Sequence, residues 1–353
     1  MTENRTAASG PDETVPSPQK TWSDPPRVSL IRRLLSAKET GVFLALVVMC
    51  VFLSMSTESF LSTTNLLNVG RQVSLLGIMA IGMTFVLISG EIDLSVGSTY
   101  ALAGLSTGML IVLGWGLVPA LAMGLACGAA IGLINGLLST YGRLPSLIAT
   151  LGMLSIVRGS ALLLTDGRPV TVNVRNGADP AVLDHFEYMG QGYLFGIIPM
   201  QLVFFIVLAI LGWLLLSRTA FGFRVFAVGG SEKAARVSGI HVPTVKIWSF
   251  VIMGILAAAA GILSLAFLPS GQAGRTGLGL ELDVIAAVVV GGASLAGGVG
   301  TILGTVFGVL IIGVLRNGLV LLGVSPFTQE VMIGLVIIVA VAIDKWSSTR
   351  RST

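Results

Sequence analysis

Long apolar stretches, separated by short polar segments, follow one another along the chain from about residue 41 onward. A stretch of about 18 apolar residues is long enough to cross the hydrocarbon core of a bilayer as a helix. Such spans are helical because backbone groups in lipid must hydrogen-bond within their own segment. The pattern predicts an all-α polytopic membrane protein of about ten transmembrane helices. The predicted spans are 41–56, 69–89, 94–113, 117–139, 146–165, 197–217, 247–268, 282–297, 300–321 and 327–343.

Three short motifs of the first half recur in the same order about five spans later. Because five is an odd number of spans, the second copy is inverted in the membrane relative to the first. This pattern predicts an inverted repeat of spans 2–5 and 7–10, with a solute path between the two copies. The pairs are EID at 91–93 with ELD at 281–283, Asn135-Gly136 with Asn317-Gly318, and LPS at 144–146 with SPF at 325–327.

The distribution of lysine and arginine predicts the orientation, since these residues accumulate in short cytoplasmic loops. It places both termini in the cytoplasm. The loop 218–246, with five basic residues, is then cytoplasmic, and the acidic loop 166–196 is extracytoplasmic. Residues 1–27 have the composition of a disordered cytoplasmic tail, and 28–353 form a single transmembrane domain. The eighth span is short and rich in glycine, and we expect it to be either broken or re-entrant.

Glycines at four-residue spacing predict close packing of two spans, because glycine lets helix backbones approach each other. The partner helix belongs either to the same chain or to a second subunit. The residues are Gly124, Gly128, Gly132 and Gly136 in span four and Gly300, Gly304 and Gly308 in span nine.

The composition excludes several classes of function. Only 11% of the residues are charged, and the net charge of +4 fits cytoplasmic loops rather than a nucleic-acid surface. The chain has no Gly-Lys dipeptide and therefore no Walker-type phosphate loop. Neither a catalytic constellation nor the spacing of metal ligands is present, so we expect no enzyme, no metal and no cofactor in this chain.

Polar residues in or near the spans are candidates for a translocation path, because charge in lipid is costly and often functional. The carboxylates of Glu91 and Asp93 either stabilise the start of span three or form a polar wall. Asn135 and Asn317 either bond helix to helix or face a polyol solute. Arg316 and Glu330, on neighbouring spans, are candidates for an ion pair. The path candidates are Glu91, Asp93, Ser95, Asn135, Glu281, Asp283 and Asn317.

The stretch GGSEKAARVSGI at 229–240 is charged and lies between two apolar spans. Ser231 is a suitable N-cap, the residues after it favour helix, and Gly239 is a suitable stop. The stretch therefore predicts an exposed helix of about two turns. A helix this short is unstable alone, so either the flanking spans or a partner protein must hold it.

This stretch resembles the EAA-like cytoplasmic loop of bacterial ABC-importer permeases of the ribose/xylose/arabinose type. Further segments resemble the same family in family order and together cover about residues 60–343. They are SGEIDLSVGS (89–98), YGRLPSLIATLGMLSIVRG (141–159), TAFGFRVFAVGGSEKAARVSGI (219–240), LELDVIAAVVVGGASLAGGVGTILGT (280–305) and IGVLRNGLVLLGVSPF (312–327).

The resemblance implies a permease subunit in the bacterial plasma membrane that translocates a monosaccharide by alternating access. Its implied partners are a second permease, identical or paralogous, an ATPase with two nucleotide-binding domains that holds ATP and magnesium, and an extracytoplasmic sugar-binding protein. The loop helix would be the coupling helix that docks in the ATPase. The implied coupling residues are Glu232, Lys233, Ala234, Ala235, Arg236, Val237, Ser238 and Gly239.

Two departures from the family pattern bear on function. Many relatives carry Glu-Glu in place of Glu232-Lys233 and Gly-Gly in place of Gly90-Glu91, which leaves open the pairing with the ATPase and the choice of sugar. Two alternatives stay open: a permease of the same superfamily for a signalling sugar, nucleoside or branched amino acid, and an ATP-independent facilitator. A facilitator has no need of a docking helix.

Overall fold

The computed structural model describes Thr2 and residues 38–352, so the predicted tail at 1–27, apart from Thr2, lies outside the described residues. Thirteen α-helices account for most of the described chain. They are α1 (Lys38–Ser56), α2 (Thr63–Ile88), α3 (Val96–Val112), α4 (Leu117–Thr140), α5 (Ser146–Thr165), α6 (Pro180–Gln191), α7 (Met200–Arg218), α8 (Ala220–Gly230), α9 (Glu232–Val237), α10 (Val242–Phe267), α11 (Leu280–Val290), α12 (Ile302–Leu321) and α13 (Pro326–Ser352).

Four two-residue strands form two small antiparallel pairs outside the helices. Strand β1 (Val170–Thr171) pairs with β4 (Ser270–Gly271), and β2 (Tyr193–Leu194) pairs with β3 (Ile198–Pro199). The β1–β4 pair ties the segment after α5 to the segment after α10.

Six of the helices in the described part of the chain are long and apolar enough to cross a membrane, namely α2, α4, α5, α7, α10 and α12. The other four predicted spans correspond to α1, α3, α11 and α13, so the count of ten spans stays a prediction. Helix ends differ from the predicted ends where a cap overrides the apolar pattern. Helix α2 starts at Thr63 because Ser62 caps it. The Ser62 hydroxyl accepts a 3.3 Å hydrogen bond from the backbone N–H of Asn65.

The predicted span 282–297 is wrong at its C-terminal end, since α11 stops at Val290. Gly292, Gly297 and Gly298 follow with φ between +72° and +92°, which ends the helix and produces a non-helical segment. The two long loops hold further helices that were not predicted. They contain α6 and α8, and α8 is anchored by the buried side chains of Val225 and Val228.

Helices α2 and α10 form the centre of the bundle, with 83% and 72% of their most apolar stretch buried. They pack against each other, and each also packs against the opposite half of the chain. Helix α10 lies against α3 and α4, whereas α2 lies against α11 and α12. Each predicted repeat therefore contributes its first helix to the packing of the other repeat.

The glycine stripe of α4 packs within the chain, against the backbone of α10. Gly128 and Gly254 face each other, so that a Cβ on either residue would overlap the other's carbonyl oxygen. A Cβ on Gly132 would likewise meet the carbonyl of Phe250, and one on Gly136 would lie 2.8 Å from the Ile247 Cα. In the second half, Gly304 and Gly308 pack against the carbonyls of Gly291 and Ala287 at the end of α11.

The two short helices α3 and α11 meet at their N-terminal ends and run to opposite ends of the bundle. Gly97 of α3 contacts the Gly277 carbonyl, and a Cβ on it would lie 2.6 Å from Glu281 Oε2. The far end of α3 touches Gly177 beyond α5, and the segment after α11 touches Ile88 at the end of α2. Both helices are short, with 17 residues in α3 and 11 in α11.

Substitution of Gly128 by alanine tests the close packing of α4 on α10. The added Cβ would lie 2.6 Å from the Ala258 Cβ and against the Gly254 carbonyl. We expect a loss of stability of about 1–3 kcal/mol from overpacking, measured as a lower midpoint of thermal unfolding in detergent. Gly152→Ala is the control, since a Cβ at Gly152 meets nothing within 4 Å. Equal midpoints for the two variants would contradict this packing.

Candidate functional site: a surface helix linked to a buried ion-pair network

The helix predicted at 229–240 is present as α9. Ser231 caps it by accepting a 3.3 Å hydrogen bond from the Ala234 amide, and Glu232 and Arg236 form an ion pair of 2.6 Å one turn apart. Gly239, with φ of +80°, ends the helix. The prediction of a short helix that Ser231 caps and Gly239 stops is confirmed.

Helix α9 has one face against the body of the protein and one face in the open. Ala235 is 3% exposed, whereas Val237 is 91% exposed. The flanking segments therefore hold the helix, and a surface with an apolar centre stays free for a partner. The other exposed residues of the segment are Lys233, Ala234, Arg236, Ser238 and Gly239.

Lys246 joins this helix to the interior of the bundle through two ion pairs. Its Nζ lies 3.0 Å from Glu232 Oε2 and 2.6 Å from Glu91 Oε1. The side chains of Lys246 and Glu91 are 14% and 10% exposed. A single cation thus connects α9, the first turns of α10 and the segment between α2 and α3.

Backbone contacts between glycines reinforce this junction. The Gly298 amide donates a 2.9 Å hydrogen bond to the Ile88 carbonyl at the end of α2. A Cβ on Gly297 would lie 2.9 Å from the Gly229 carbonyl oxygen and 3.0 Å from the Gly90 Cα. The segment between α11 and α12 therefore lies between the end of α8 and the end of α2. Both halves of the chain contact α8 next to α9.

The hydrogen bonds from Lys246 and Arg236 lower the pKa of Glu232 below its ordinary value of 4.5. A carboxylate with a lowered pKa in the folded state stabilises that state above its unfolded pKa. The stabilisation is lost as the pH falls through the folded pKa, below 4.5. The ion pairs of Glu232 are therefore complete throughout the neutral range.

Asp93, Ser95 and Asn135 form a buried polar cluster at the start of α3. Asp93 Oδ1 accepts hydrogen bonds from the Ser95 amide at 2.8 Å and the Ser95 hydroxyl at 2.7 Å. The Asn135 Nδ2 donates to Ser95 Oγ at 2.8 Å and to both carboxylate oxygens of Asp93 at 3.3 and 3.4 Å. All three residues are 2% exposed or less. Asn135 therefore joins α4 to the start of α3, as the helix-to-helix alternative predicts.

Asn317 has a different role from its counterpart Asn135. It exchanges two amide hydrogen bonds, of 2.8 and 3.1 Å, with Asn65 at the start of α2, and both residues are buried. This reciprocal pair also fits the helix-to-helix alternative.

Asp283 pairs with Arg316, which lies one position before Asn317. The Arg316 Nη2 lies 2.8 and 2.9 Å from the two carboxylate oxygens of Asp283. The expected pair of Arg316 with Glu330 is present at 3.9 Å but is the longer of the two contacts. Glu281 lies next to Gly97 at the meeting point of α3 and α11.

The seven predicted path residues thus fall into several groups instead of one continuous wall. The structure brings Asp93, Ser95 and Asn135 together and places Glu91, Asp283 and Asn317 in separate pairs. Sequence reasoning missed Lys246 as a bridging residue because its predicted span began one residue later, at 247. Helix α10 begins at Val242 with Pro243 in its first turn, which makes Lys246 a charged residue on a membrane-capable helix. The signal in the sequence was a lysine directly before a long apolar stretch.

Substitution of Lys246 by methionine tests the bridge. It leaves Glu91 buried without its cation, and we expect a loss of stability of about 2–3 kcal/mol. The double variant Glu91→Gln/Lys246→Met removes the unpaired charge and should recover much of the loss. Lys233→Met, an exposed lysine of the same loop, is the control for unfolding measurements in detergent. If the Lys246 and Lys233 variants unfold alike, the bridge does not stabilise the fold.

Substitution of Glu232 by glutamine tests the pH dependence of the same network. We expect a lower unfolding midpoint than the parent at pH 7, because the lowered pKa keeps Glu232 ionised there. The difference should vanish as the pH falls well below 4.5, where Glu232 is protonated in both states. Glu58→Gln, at an exposed position, is the control. A difference that stays constant with pH would contradict the ionic origin.

The chain is similar in sequence to known transport permeases. The model of the family described as branched-chain amino acid transport system/permease component matches residues 65–341. The ribose import permease protein of Bacillus subtilis (strain 168) is 45% identical over 311 residues, which cover 88% of this chain and 94% of that protein. The ribose import permease protein of Escherichia coli (strain K12) is 41% identical over 307 residues, covering 87% and 93%.

The L-arabinose transport system permease protein of Escherichia coli (strain K12) is 37% identical over 313 residues, which cover 89% of this chain and 92% of that protein. No solved structure matches the chain. The family match runs from the first turn of α2 into α13 and includes α9, Lys246 and the glycine junction beside α8. The chain therefore belongs to this family of transport-system permeases.

Proposed function

We propose that this chain is the membrane-spanning permease subunit of an ATP-binding-cassette importer for a monosaccharide, with a ribose-like pentose as the first candidate. The observation that carries the proposal is the 45% identity to a ribose import permease over nearly the whole length of both proteins. The chain is a multi-pass membrane protein, and its place is the bacterial plasma membrane. It is not an enzyme and holds no cofactor, so the energy comes from a separate ATPase that binds ATP and magnesium.

Helix α9 is the element through which that energy enters. The residues proposed to contact the ATPase are the exposed ones around Val237, whereas Glu232 and Ala235 hold the helix to the body. When the ATPase pair closes on ATP, movement of α9 reaches Glu91 through Lys246 and reaches Gly297 and Gly298 through Gly229 and Gly230. A facilitator would have no use for this linkage, which argues against that alternative.

The translocation mechanism is alternating access between two inverted repeats, α2–α5 and α10–α13, in a ten-span topology with both termini in the cytoplasm. Two features support it. Each repeat packs its first helix into the other repeat, and the short helices α3 and α11 meet at their N-terminal ends. Discontinuous helices at a repeat interface recur at the substrate sites of transporters.

A sugar fits the polar groups of the interior better than a branched-chain amino acid does. A zwitterion requires a free cation and a free anion in the path. Here the cations of Lys246 and Arg316 are each already paired with carboxylates at 2.6–3.0 Å. The guanidinium of Arg158 donates to the backbone carbonyls of Ala273 and Thr276. The remaining partners are a second permease, identical or paralogous, and an extracytoplasmic sugar-binding protein that delivers the solute.

Reconstitution tests the proposed function. The chain is placed in proteoliposomes with the ATPase and binding protein of a ribose importer, and uptake of labelled ribose is measured with and without ATP. We expect uptake that requires ATP. Ribose entry that is equally fast without the ATPase would favour the facilitator, and ATP-driven uptake of a branched-chain amino acid instead would favour the other permease.

Substitution of Val237 by glutamate tests the docking role of α9 in the same vesicles. A charge at the apolar centre of the exposed face should weaken binding to the ATPase by about 2 kcal/mol or more, roughly thirtyfold. We expect both co-purification of the ATPase and uptake to fall while the unfolding midpoint is unchanged. Val174→Glu, at the exposed valine of the predicted extracytoplasmic loop, is the matched control. Normal co-purification of the Val237→Glu variant would place the docking surface elsewhere.

A further inference from the structure

A cavity of about 400 Å³ lies between α2, α3, α11, α12 and α13, at the interface of the two proposed repeats. Its wall on α2 runs from Gln72 to Met79, which is the middle third of that helix. The volume falls in the range of about 300–1,000 Å³ that is typical of small-molecule sites. Gln72 is exposed at its edge, so the cavity is open to the outside of the bundle, and it is large enough for a monosaccharide.

Five polar side chains converge on this cavity among apolar ones. Asp283 and Arg316 come from the second half of the chain, as does Gln329, while Gln72 and Tyr100 come from the first. Carboxylate, guanidinium and amide groups together offer both acceptors and donors, which is what a ring of adjacent hydroxyl groups requires. The Tyr100 ring and the leucines of α2 supply apolar surface for the C–H face of a sugar.

The charge of the cavity restricts the solute further. The guanidinium of Arg316 is neutralised by Asp283 at 2.8 Å, and Glu330 lies 3.9 Å from the same nitrogen. An anionic solute therefore meets no uncompensated positive charge in this group. The Arg316–Asp283 ion pair does not weaken the binding of a neutral polyol. Its hydroxyl groups can accept hydrogen bonds from the remaining guanidinium N–H groups and donate to the carboxylate.

We propose that this cavity, with Gln72, Tyr100, Asp283, Arg316 and Gln329 as its polar contacts, is the site where the permease binds a neutral monosaccharide during translocation. The inference rests on the proposed function, which supplies the class of solute. It goes further by placing the site at the Asp283–Arg316 pair instead of at the buried Asp93–Ser95–Asn135 cluster. The three residues of that cluster are 2% exposed or less, and none of them lines this cavity.

Protection of an introduced cysteine tests the site directly. Cys50 and Cys127 are first replaced by alanine, and Gln72→Cys is introduced into the full transporter with its ATPase and binding protein. The rate of reaction with a small cationic methanethiosulfonate is measured with and without ribose. We expect saturating ribose to slow the reaction about tenfold or more, because only the unoccupied fraction reacts. Ribose 5-phosphate at the same concentration should leave the rate unchanged.

The matched control is Gln191→Cys, at an exposed glutamine of α6 outside the cavity, whose labelling rate should not respond to ribose. If the cysteine-free parent takes up no ribose, the proposed function fails and the site falls with it. If the parent takes up ribose, but the cysteine at position 72 is inert or reacts equally with and without ribose, the function stands and the site is overturned. Protection by ribose 5-phosphate equal to that by ribose would overturn the preference for a neutral solute.

Discussion

A polar group without a partner costs several kcal/mol in hydrocarbon, and this constraint governs the arrangement of the whole bundle. Backbone groups satisfy it by forming helices. Charged side chains satisfy it by pairing across helices, as Lys246 does with Glu91 and Arg316 with Asp283. Lys246 and Glu91 lie in opposite halves of the chain, so their pairing also fixes how the two halves sit against each other. Arg316 and Asp283 join α12 to α11 within the second half.

Features that depend on neighbouring residues in the chain could be predicted from the sequence. The apolar stretches predicted where helices lie, and the cap at Ser231 with the stop at Gly239 predicted α9. The glycine spacing predicted close packing but not its partner, since the contact of Gly128 with Gly254 depends on the register of two helices distant in sequence. Helix α8 was not predicted, although Thr219 is its N-cap, because its short apolar stretch depends on the burial of Val225 and Val228.

The candidate site was harder to predict because its contacts depend on how separate helices pack. Some of them cross between the two halves, as Asn65–Asn317 and Glu91–Lys246 do. The motif echo pointed to Asp93 and Asp283 as equivalent residues and to Asn135 and Asn317 as equivalent amides. Asp93 does bond to Asn135, but Asp283 bonds to Arg316, and Asn317 turns to Asn65. A difference of one position on α12 changes which side chain faces the cavity, and a short sequence motif cannot resolve such a shift. Gln72, Tyr100 and Gln329 carry no motif and emerge only from the geometry of the cavity.

The junction of Gly229, Gly297 and Gly90 has a mechanical consequence. Side chains yield under load because their torsion angles rotate, so contact through side chains absorbs part of any displacement. Here the main chains touch without side chains between them, and a Cβ at Gly229 would overlap the Ile88 carbonyl. Backbone atoms in direct contact cannot move closer together, so such a contact yields little when it is pushed. In the proposed coupling, a small push on the end of α8 would therefore be passed to both halves of the molecule with little loss.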